Sequence, residues 1–315
     1  MDLMGFMDVK NRIMAEGIFP FYLDQAYVKG RLVRLGPEID KLLSKHQNYP
    51  PLVKSYMAEL TVLAAVLSTD VKYRGVFTLQ ISARPDQPSM MKLMVIDVNT
   101  EGHIRAYARW DKEEYKKLSR NDSLSLQEVF GHGFITFTAD LAAHEERYQA
   151  IVELSGKTLA DCIHHFFRQS EQIPTGIVLY SDYCDQNHQT KAGALILQQL
   201  PVERNISYEA QQKHEDDWIT DLSLLGTLTQ KELLDFNLTS AKLLHRLFHE
   251  RNLYQLDPQS LLAKCSCSQE KIYNLLKTFS AHERTEITIE NQINVKCEFC
   301  GHHYTFIDNK DFSSF

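Results

Sequence analysis

Four of the six cysteines in this chain stand in two close pairs near its C-terminus. The first pair is Cys265-Ser-Cys267 and the second is Cys297-Glu-Phe-Cys300. Two close pairs with a medium-length insert present four thiolates to one tetrahedral Zn²⁺, because each pair occupies one edge of the tetrahedron and the insert only closes the loop. The pattern therefore predicts a four-thiolate zinc site, with one ion per chain, that constrains how the C-terminal segment folds.

The two pairs differ in the chemistry that their spacing allows. The second pair is followed by Gly301 and resembles a zinc knuckle, in which glycine lets the backbone turn so that amide groups point at the sulfurs. The tighter first pair would close a strained disulfide ring, and strained disulfides are the more readily reversible ones. The spacing thus allows a second state, without metal and with each pair oxidised. Structural zinc supplies on the order of 10 kcal/mol, so its loss should unfold this segment.

Two permanent disulfides are the alternative, but nothing at the N-terminus indicates export to an oxidising compartment. Residues 1–12 include Asp2 and Asp8 and lack an apolar stretch of signal-peptide length. The longest apolar run, residues 62–67, is far too short to span a bilayer. The net charge of −7 argues against general affinity for a phosphate backbone. We therefore expect a cytoplasmic protein with neither a nucleic-acid partner nor a membrane partner.

The first two thirds of the chain predict an α+β fold. From Leu52 to Leu67 the apolar residues recur with the spacing of a helix that buries one face. A second helix is predicted to begin at Thr158, with Cys162 on its apolar face as a small buried hydrophobe. Short alternating or apolar runs, separated by turn-forming residues, predict an antiparallel sheet over residues 76–81, 91–98, 103–107, 134–138 and 148–154.

A segment of different composition precedes the cysteines. Residues 202–217 are rich in charged and amide side chains, so they bury little and lie near the folding threshold. Two amphipathic pieces follow, the first opening with a capping-box pattern at Thr229 and the second spanning residues 243–249. Their apolar surface would be freed by zinc loss if it docks on the zinc domain or on the sheet. A plain core-facing helical hairpin is the alternative.

Several motifs in one order resemble the heat-shock protein 33 family of redox-regulated chaperones. Those in the first part of the chain lie at residues 131–138, 148–156, 159–163, 170–175 and 192–201. Those in the C-terminal part lie at residues 247–250, 256–258, 265–268 and 297–301, with Tyr304 and Phe306 behind them. The likeness is fainter before Gly131, where residues 83–88 replace a turn that is often glycine-rich in the family.

The resemblance implies an N-terminal mixed α/β chaperone domain over residues 1–180, a metastable helical linker over residues 181–258 and a small C-terminal zinc domain over residues 259–315. It implies an ATP-independent holdase that zinc keeps inactive. It assigns the zinc to Cys265, Cys267, Cys297 and Cys300. In the oxidised form it implies the disulfides Cys265–Cys267 and Cys297–Cys300, an unfolded linker, bound unfolded client proteins and a homodimer.

Two other functional classes compete with this interpretation. A constitutive zinc-ribbon adapter would use the metal as a fixed structural support and would retain it under oxidant. A thiol oxidoreductase would carry Cys-x-x-Cys at the start of a helix after a strand, whereas here a strand-like segment follows Cys300. The chain contains no P-loop, nucleophile elbow or dinucleotide fingerprint, so we do not expect an enzyme.

Overall fold

The computed structural model describes residues 14–24, 27–46, 48–118, 124–141, 147–184, 189–201 and 207–307. These residues form two mainly antiparallel sheets, a helix between them, helices on the outside of one sheet, and a small C-terminal module. The predicted α+β class is confirmed.

The first sheet has five antiparallel strands in the order β10-β1-β2-β9-β8. Its strands are β1 (Gly17–Leu23), β2 (Val28–Leu35), β8 (Thr175–Cys184), β9 (Gln189–Gln199) and β10 (Leu253–Gln255). Strand β8 runs across the predicted domain boundary at residue 180, and β9 lies inside the sheet. The division of the chain at that residue stays a prediction.

The second sheet has six strands in the order β11-β5-β4-β3-β6-β7, and all neighbours are antiparallel except β11 and β5. Its strands are β3 (Tyr73–Ala83), β4 (Met91–Asn99), β5 (His103–Trp110), β6 (Gly133–Leu141), β7 (Arg147–Glu153) and β11 (Leu262–Ala263). The five apolar runs noted in the sequence correspond to β3 to β7, so the predicted antiparallel sheet is confirmed.

Helix α1 (Pro37–Leu43) leads to the long helix α2 (Pro51–Ser68), which lies between the two sheets. Proline opens both helices, where the missing N–H costs nothing because the first turn has no partner for it. Helix α2 contacts β2, β8 and β9 on one side and β3, β4 and β5 on the other. By length and hydropathy it could cross a membrane, but two thirds of it is buried inside this fold.

Three short helices pack against the main core: α3 (Lys112–Lys117), α4 (Leu126–Phe130) and α5 (Leu159–Phe166), the last continuing into a π-helical turn at Phe167–Glu171. Helix α5 begins after Thr158, as the sequence predicted, and the structure adds a reciprocal capping box between Thr158 and Asp161. Cys162 is fully buried, and burial raises the pKa of its thiol. A buried neutral thiol is a poor nucleophile, so Cys162 acts in packing.

The linker helices α6 (Tyr208–Gly226), α7 (Gln230–Leu233) and α8 (Ser240–Phe248) cover the outer face of the first sheet. The capping box predicted at Thr229 is present at the start of α7. The linker residues that are buried in the resulting second core are Leu225, Leu228, Leu233, Leu234, Leu243, Leu244, Leu247 and Phe248. The apolar surface of the linker therefore docks on the sheet, and the zinc segment does not take part in this core.

Two glycines of the first sheet make room for linker leucines. A Cβ at Gly193 of β9 would lie 2.7 Å from Leu233, and a Cβ at Gly176 of β8 would lie 2.4 Å from Leu222. Both distances are shorter than carbon atoms tolerate without displacement. Because linker and α2 cover opposite faces of this sheet, β9 is a nearly continuous buried run rather than an alternating one.

The C-terminal module consists of α9 (Gln269–Lys277), α10 (Ala281–Ile287) and the antiparallel hairpin β12 (Gln292–Lys296) to β13 (His303–Ile307). Its buried apolar residues within the described chain are Leu276, Ile293 and Phe306. A core this small falls short of what an independent fold needs without a metal or a crosslink.

Candidate metal centre

The structure brings the four C-terminal cysteines together. Cys265 and Cys267 lie between β11 and α9, and Cys297 and Cys300 lie in the turn between β12 and β13. All four Sγ atoms are within 4.8 Å of one another. Two of the separations that cross between the pairs are 3.8 Å, for Cys265 to Cys297, and 3.4 Å, for Cys267 to Cys300.

This arrangement fits a four-thiolate metal site. Sulfurs about 2.3 Å from a tetrahedral ion lie about 3.8 Å from one another, close to the separations observed. Burial, together with hydrogen bonds to the other three cysteines, raises the pKa of Cys300 to about 12. Thiols grouped this closely resist ionisation by themselves, and a bound dication reverses that preference. Soft thiolate donors in this number favour zinc over calcium or magnesium.

Neighbouring groups hold the sulfurs in place. Tyr304 Oη donates a hydrogen bond to Cys267 Sγ at 3.1 Å, and the His302 amide donates one to Cys300. Gly301 has φ +71°, the left-handed turn that the knuckle interpretation requires. Such outer contacts orient ligands and set their basicity. Among the described residues, Cys162 in α5 and Cys184 in β8 lie outside the cluster.

The turn that carries Cys297 and Cys300 packs on β5 of the second sheet. The Phe299 ring lies over the Arg105 guanidinium, 4.1 Å from Cζ to the ring centroid, and 6.3 Å from the Tyr107 ring. His46 Nε2 lies 3.1 Å from the Phe299 carbonyl oxygen and the same distance from that of Ala106. A neutral imidazole can donate there, and burial lowers the pKa of His46, which favours the neutral form.

Two arginines that the sequence analysis did not single out anchor the linker. Arg34 of β2 is 1% exposed and donates to the carbonyl oxygens of Leu233, Leu238 and Asp235 at the end of α7 and in the turn that follows. A strand reading Arg-Leu-Val-Arg offers one signal, because a charged residue inside an apolar run must find partners.

The second anchor, Arg251, follows α8 and forms ion pairs with Asp24, Asp217 and Asp221. It thus joins the end of the linker to β1 and to α6. Asp221 is fully buried, and burial raises its pKa to about 6, with Asp24 and Asp217 adding to the rise and Arg251 opposing it. Three carboxylates surround one guanidinium, so this cluster carries excess negative charge when all are ionised.

Comparison with known proteins shows which family the chain resembles. The family model for Hsp33 protein matches residues 16–307. The chain is 32% identical over 296 residues to the 33 kDa chaperonin of Caulobacter vibrioides (strain NA1000 / CB15N), covering 93% of this chain and 95% of that protein. It is 32% identical over 280 residues to the 33 kDa chaperonin of Yersinia pestis (strain Pestoides F), covering 89% and 88%.

A solved structure shares the fold. The crystal structure of the 33 kDa chaperonin from Thermotoga maritima matches with a TM-score of 0.76 at 19% sequence identity. The match covers 95% of this chain and 97% of that one. The arrangement of two sheets, outer helices and C-terminal module is therefore similar in the two proteins.

Proposed function

This chain belongs to the Hsp33 family, and from that premise we propose that it is a redox-regulated, ATP-independent holdase chaperone of the cytoplasm rather than an enzyme. Its partners would be unfolded or partly unfolded proteins. The observation that carries the proposal is the cluster of four cysteine sulfurs within 4.8 Å of one another in a module with a very small core. That module cannot stay folded on apolar burial alone.

In the reduced resting state, Cys265, Cys267, Cys297 and Cys300 would hold one Zn²⁺ per chain as thiolates. The bound ion would supply the folding free energy that the module lacks and would offset half of the negative charge of the four thiolates. The chain's own residues then place Phe299 on β5 and keep the linker docked on the first sheet. The leucines of α7 and α8, together with Phe248, are buried in this state.

Oxidation would convert each pair of thiolate ligands into a disulfide. Cys265 with Cys267, and Cys297 with Cys300, would each form an S–S bond and lose two electrons per disulfide. A two-electron oxidant such as hydrogen peroxide accepts each pair and is reduced to water as it takes up two protons. A disulfide sulfur no longer acts as a thiolate ligand, so the module loses both its metal and the free energy that kept it folded.

Unfolding of the module would loosen the linker that precedes it. Helix α6 buries only Asp221 and Leu225, so its docking rests on few contacts. Once it opens, the leucines of α7 and α8 become available to an unfolded client, at about 1.5–3 kcal/mol for each large side chain buried again. The same exposed apolar surface favours association of two active chains into a homodimer.

The experiment is to purify the reduced protein, quantify zinc, and add peroxide or hypochlorite while following zinc release and suppression of aggregation of an unfolding test protein. One zinc per chain should leave as thiols disappear, and anti-aggregation activity should rise and be reversed by reductant. If zinc stays bound, or leaves without activity, the cysteines are a fixed structural support and the zinc-ribbon adapter takes over as the function.

A further inference from the structure

Residues 252–264, here called the strap, lie along edge strands of both sheets. The strap pairs antiparallel with β1 through β10 and parallel with β5 through β11. Between these two strands, Gln259 exchanges two main-chain hydrogen bonds with Ile18, at 2.9 and 2.8 Å. One segment of the chain thus closes an edge of each sheet.

Main-chain contacts hold the strap along its length, and Leu261 is its one residue in the main core that is fully buried. Its amide groups donate from Leu256 to Pro20, from Leu262 to Gly102 and from Lys264 to Ile104, at 2.9 to 3.0 Å. The side chains at three strap positions are largely exposed: Tyr254 68%, Leu256 40% and Leu262 45%. Main-chain hydrogen bonds do not depend on side-chain identity, so another extended chain can make the same contacts.

The outward edge of β5 continues past the strap and is capped there by side chains. The Ala106 carbonyl oxygen accepts from His46 Nε2 at 3.1 Å. Tyr49 Oη donates to the Ala108 carbonyl oxygen at 2.9 Å and accepts from the Ala108 amide at 2.7 Å. Within the described chain, no strand lies on this edge beyond β11. Two side chains therefore stand where a longer partner strand would pair.

This cover is coupled to the cysteine cluster. His46 stacks on Tyr49 at 4.6 Å between ring centroids and contacts the carbonyl oxygen of Phe299, which lies between two ligand cysteines. The strap leads directly into Cys265. Unfolding of the C-terminal module therefore removes one of the contacts of His46 and frees the C-terminal end of the strap.

We infer that the outward edge of β5, from Gly102 to Ala108, receives unfolded client segments, which bind as an added strand. This inference rests on the proposed function and specifies how the client is recognised. An uncovered edge is a template for any extended polypeptide, whereas a folded protein has already paired its main chain. Recognition through the main chain explains how one surface could serve clients of unrelated sequence.

The opposite edge of the same sheet provides a matched control. Strand β7 is last in the sheet order, and its outward side has no partner strand among the described residues. The Leu154 amide donates to the Gly133 carbonyl oxygen, so it points toward β6. Main-chain groups alternate in direction along a strand, so the Ile151 amide points away from β6. Within the part of the chain that the structure describes, this edge carries no cover that unfolding of the C-terminal module would remove.

The test uses the oxidised, metal-free full-length protein and an unstructured peptide of about twelve residues, which exceeds the length of a typical strand. A second peptide of the same sequence carries N-methyl groups on three consecutive central amides. Alternate amides of a strand face the same side, so one or two of these three donors are lost from the pairing. Binding should then weaken roughly 5- to 30-fold, because each hydrogen bond contributes roughly 1 kcal/mol. Equal affinities would overturn strand addition. If oxidised wild type also fails to suppress aggregation, the proposed function fails separately.

Proline substitutions test which edge of the second sheet binds the peptide. Ala106→Pro removes one outward amide of β5 and should weaken peptide binding and holdase activity at least about fivefold, whereas Ile151→Pro should leave both near wild type. Equal effects of the two variants would contradict the assignment. If Ala106→Pro fails to fold, amide exchange of the wild type decides the matter: with peptide bound, the Ile104 and Ala106 amides should exchange at least about tenfold more slowly. Unchanged rates would overturn the proposal.

Discussion

Two helices of nearly equal length differ in how many of their residues are buried. Helix α2 has 18 residues, of which twelve are buried, whereas α6 has 19 residues and buries only Asp221 and Leu225. Helix α2 lies between two sheets, and α6 lies on the outside of one. Helices in proteins owe their stability mainly to packing rather than to propensity. The comparison shows that a deeply buried helix and a sparsely buried one pack on opposite faces of the same sheet.

The C-terminal module extends this comparison. The main core draws side chains from both sheets and α2, while the module has three buried apolar residues of its own. A metal can compensate for such a deficit, and a metal held by thiolates can be removed by oxidants that leave a carbon core untouched. Under the proposed function, the parts that bury the fewest apolar side chains are the parts expected to respond to redox state.

The largest expected effect comes from removing one ligand. Cys297→Ser leaves three thiolates, and we expect zinc affinity to fall roughly 100-fold or more, since changes to outer contacts alone cost 10–100-fold. The module should unfold while α2 stays protected. Chelator competition and amide exchange measure the two effects. Cys184→Ser, outside the cluster, is the control, and unchanged zinc affinity in Cys297→Ser would contradict the four-ligand site.

The second-largest expected effect distinguishes the contributions of α2 and α6 to stability. Leu63→Ala in α2 should cost about 2–5 kcal/mol of global stability, because it leaves a cavity in the main core. Leu225→Ala in α6 should speed amide exchange in the linker and leave the exchange of α2 near wild type. Denaturant unfolding followed by residue-resolved exchange distinguishes local from global loss. A global loss of similar size in both variants would show that linker and core unfold as one unit.

A smaller effect tests whether linker docking controls activity without touching the cysteines. Gly193→Ala places a methyl group against Leu233 and should weaken docking by roughly 1–3 kcal/mol, as overpacking does. Holdase activity should then appear in the reduced protein with zinc still bound. Gly226→Ala, with open space around it, is the matched control. Reduced Gly193→Ala could instead show faster amide exchange in α6 and α7 and stay as inactive as the wild type. That result would contradict control of activity by linker docking.

The smallest effect concerns pH and the cluster around Arg251. The folded pKa of Asp221, about 6, lies above its ordinary value of 3.8, so this group favours the docked linker at low pH and loses that contribution as pH rises through 6. From pH 5 to 7, linker docking should weaken by about 1 kcal/mol.

Other buried groups titrate in the same range, so the control is Asp221→Asn, in which this part of the pH dependence should disappear. Proteolysis within α6 at each pH provides the measurement. An identical pH dependence in wild type and variant would rule out Asp221 as the responsive group.

The sequence by itself determined the features that depend on neighbours along the chain. Cysteine spacing predicted which four thiols meet, alternation predicted β3 to β7, and local hydrogen-bonding patterns predicted the caps at Thr158 and Thr229. Each of these follows from a few consecutive residues, because ligand pairs, strand faces and helix caps are made by groups close in sequence.

Only the tertiary structure decided what each surface meets. Helical periodicity showed that the linker has an apolar face, but the glycine at position 193 and the buried Arg34 place that face on the first sheet. Likewise, nothing near Phe299 in sequence indicates that it packs on Arg105 and contacts His46. These contacts join residues far apart in the chain, and a periodic pattern states which side of an element is buried without stating against what. The tertiary topology decides which surfaces meet.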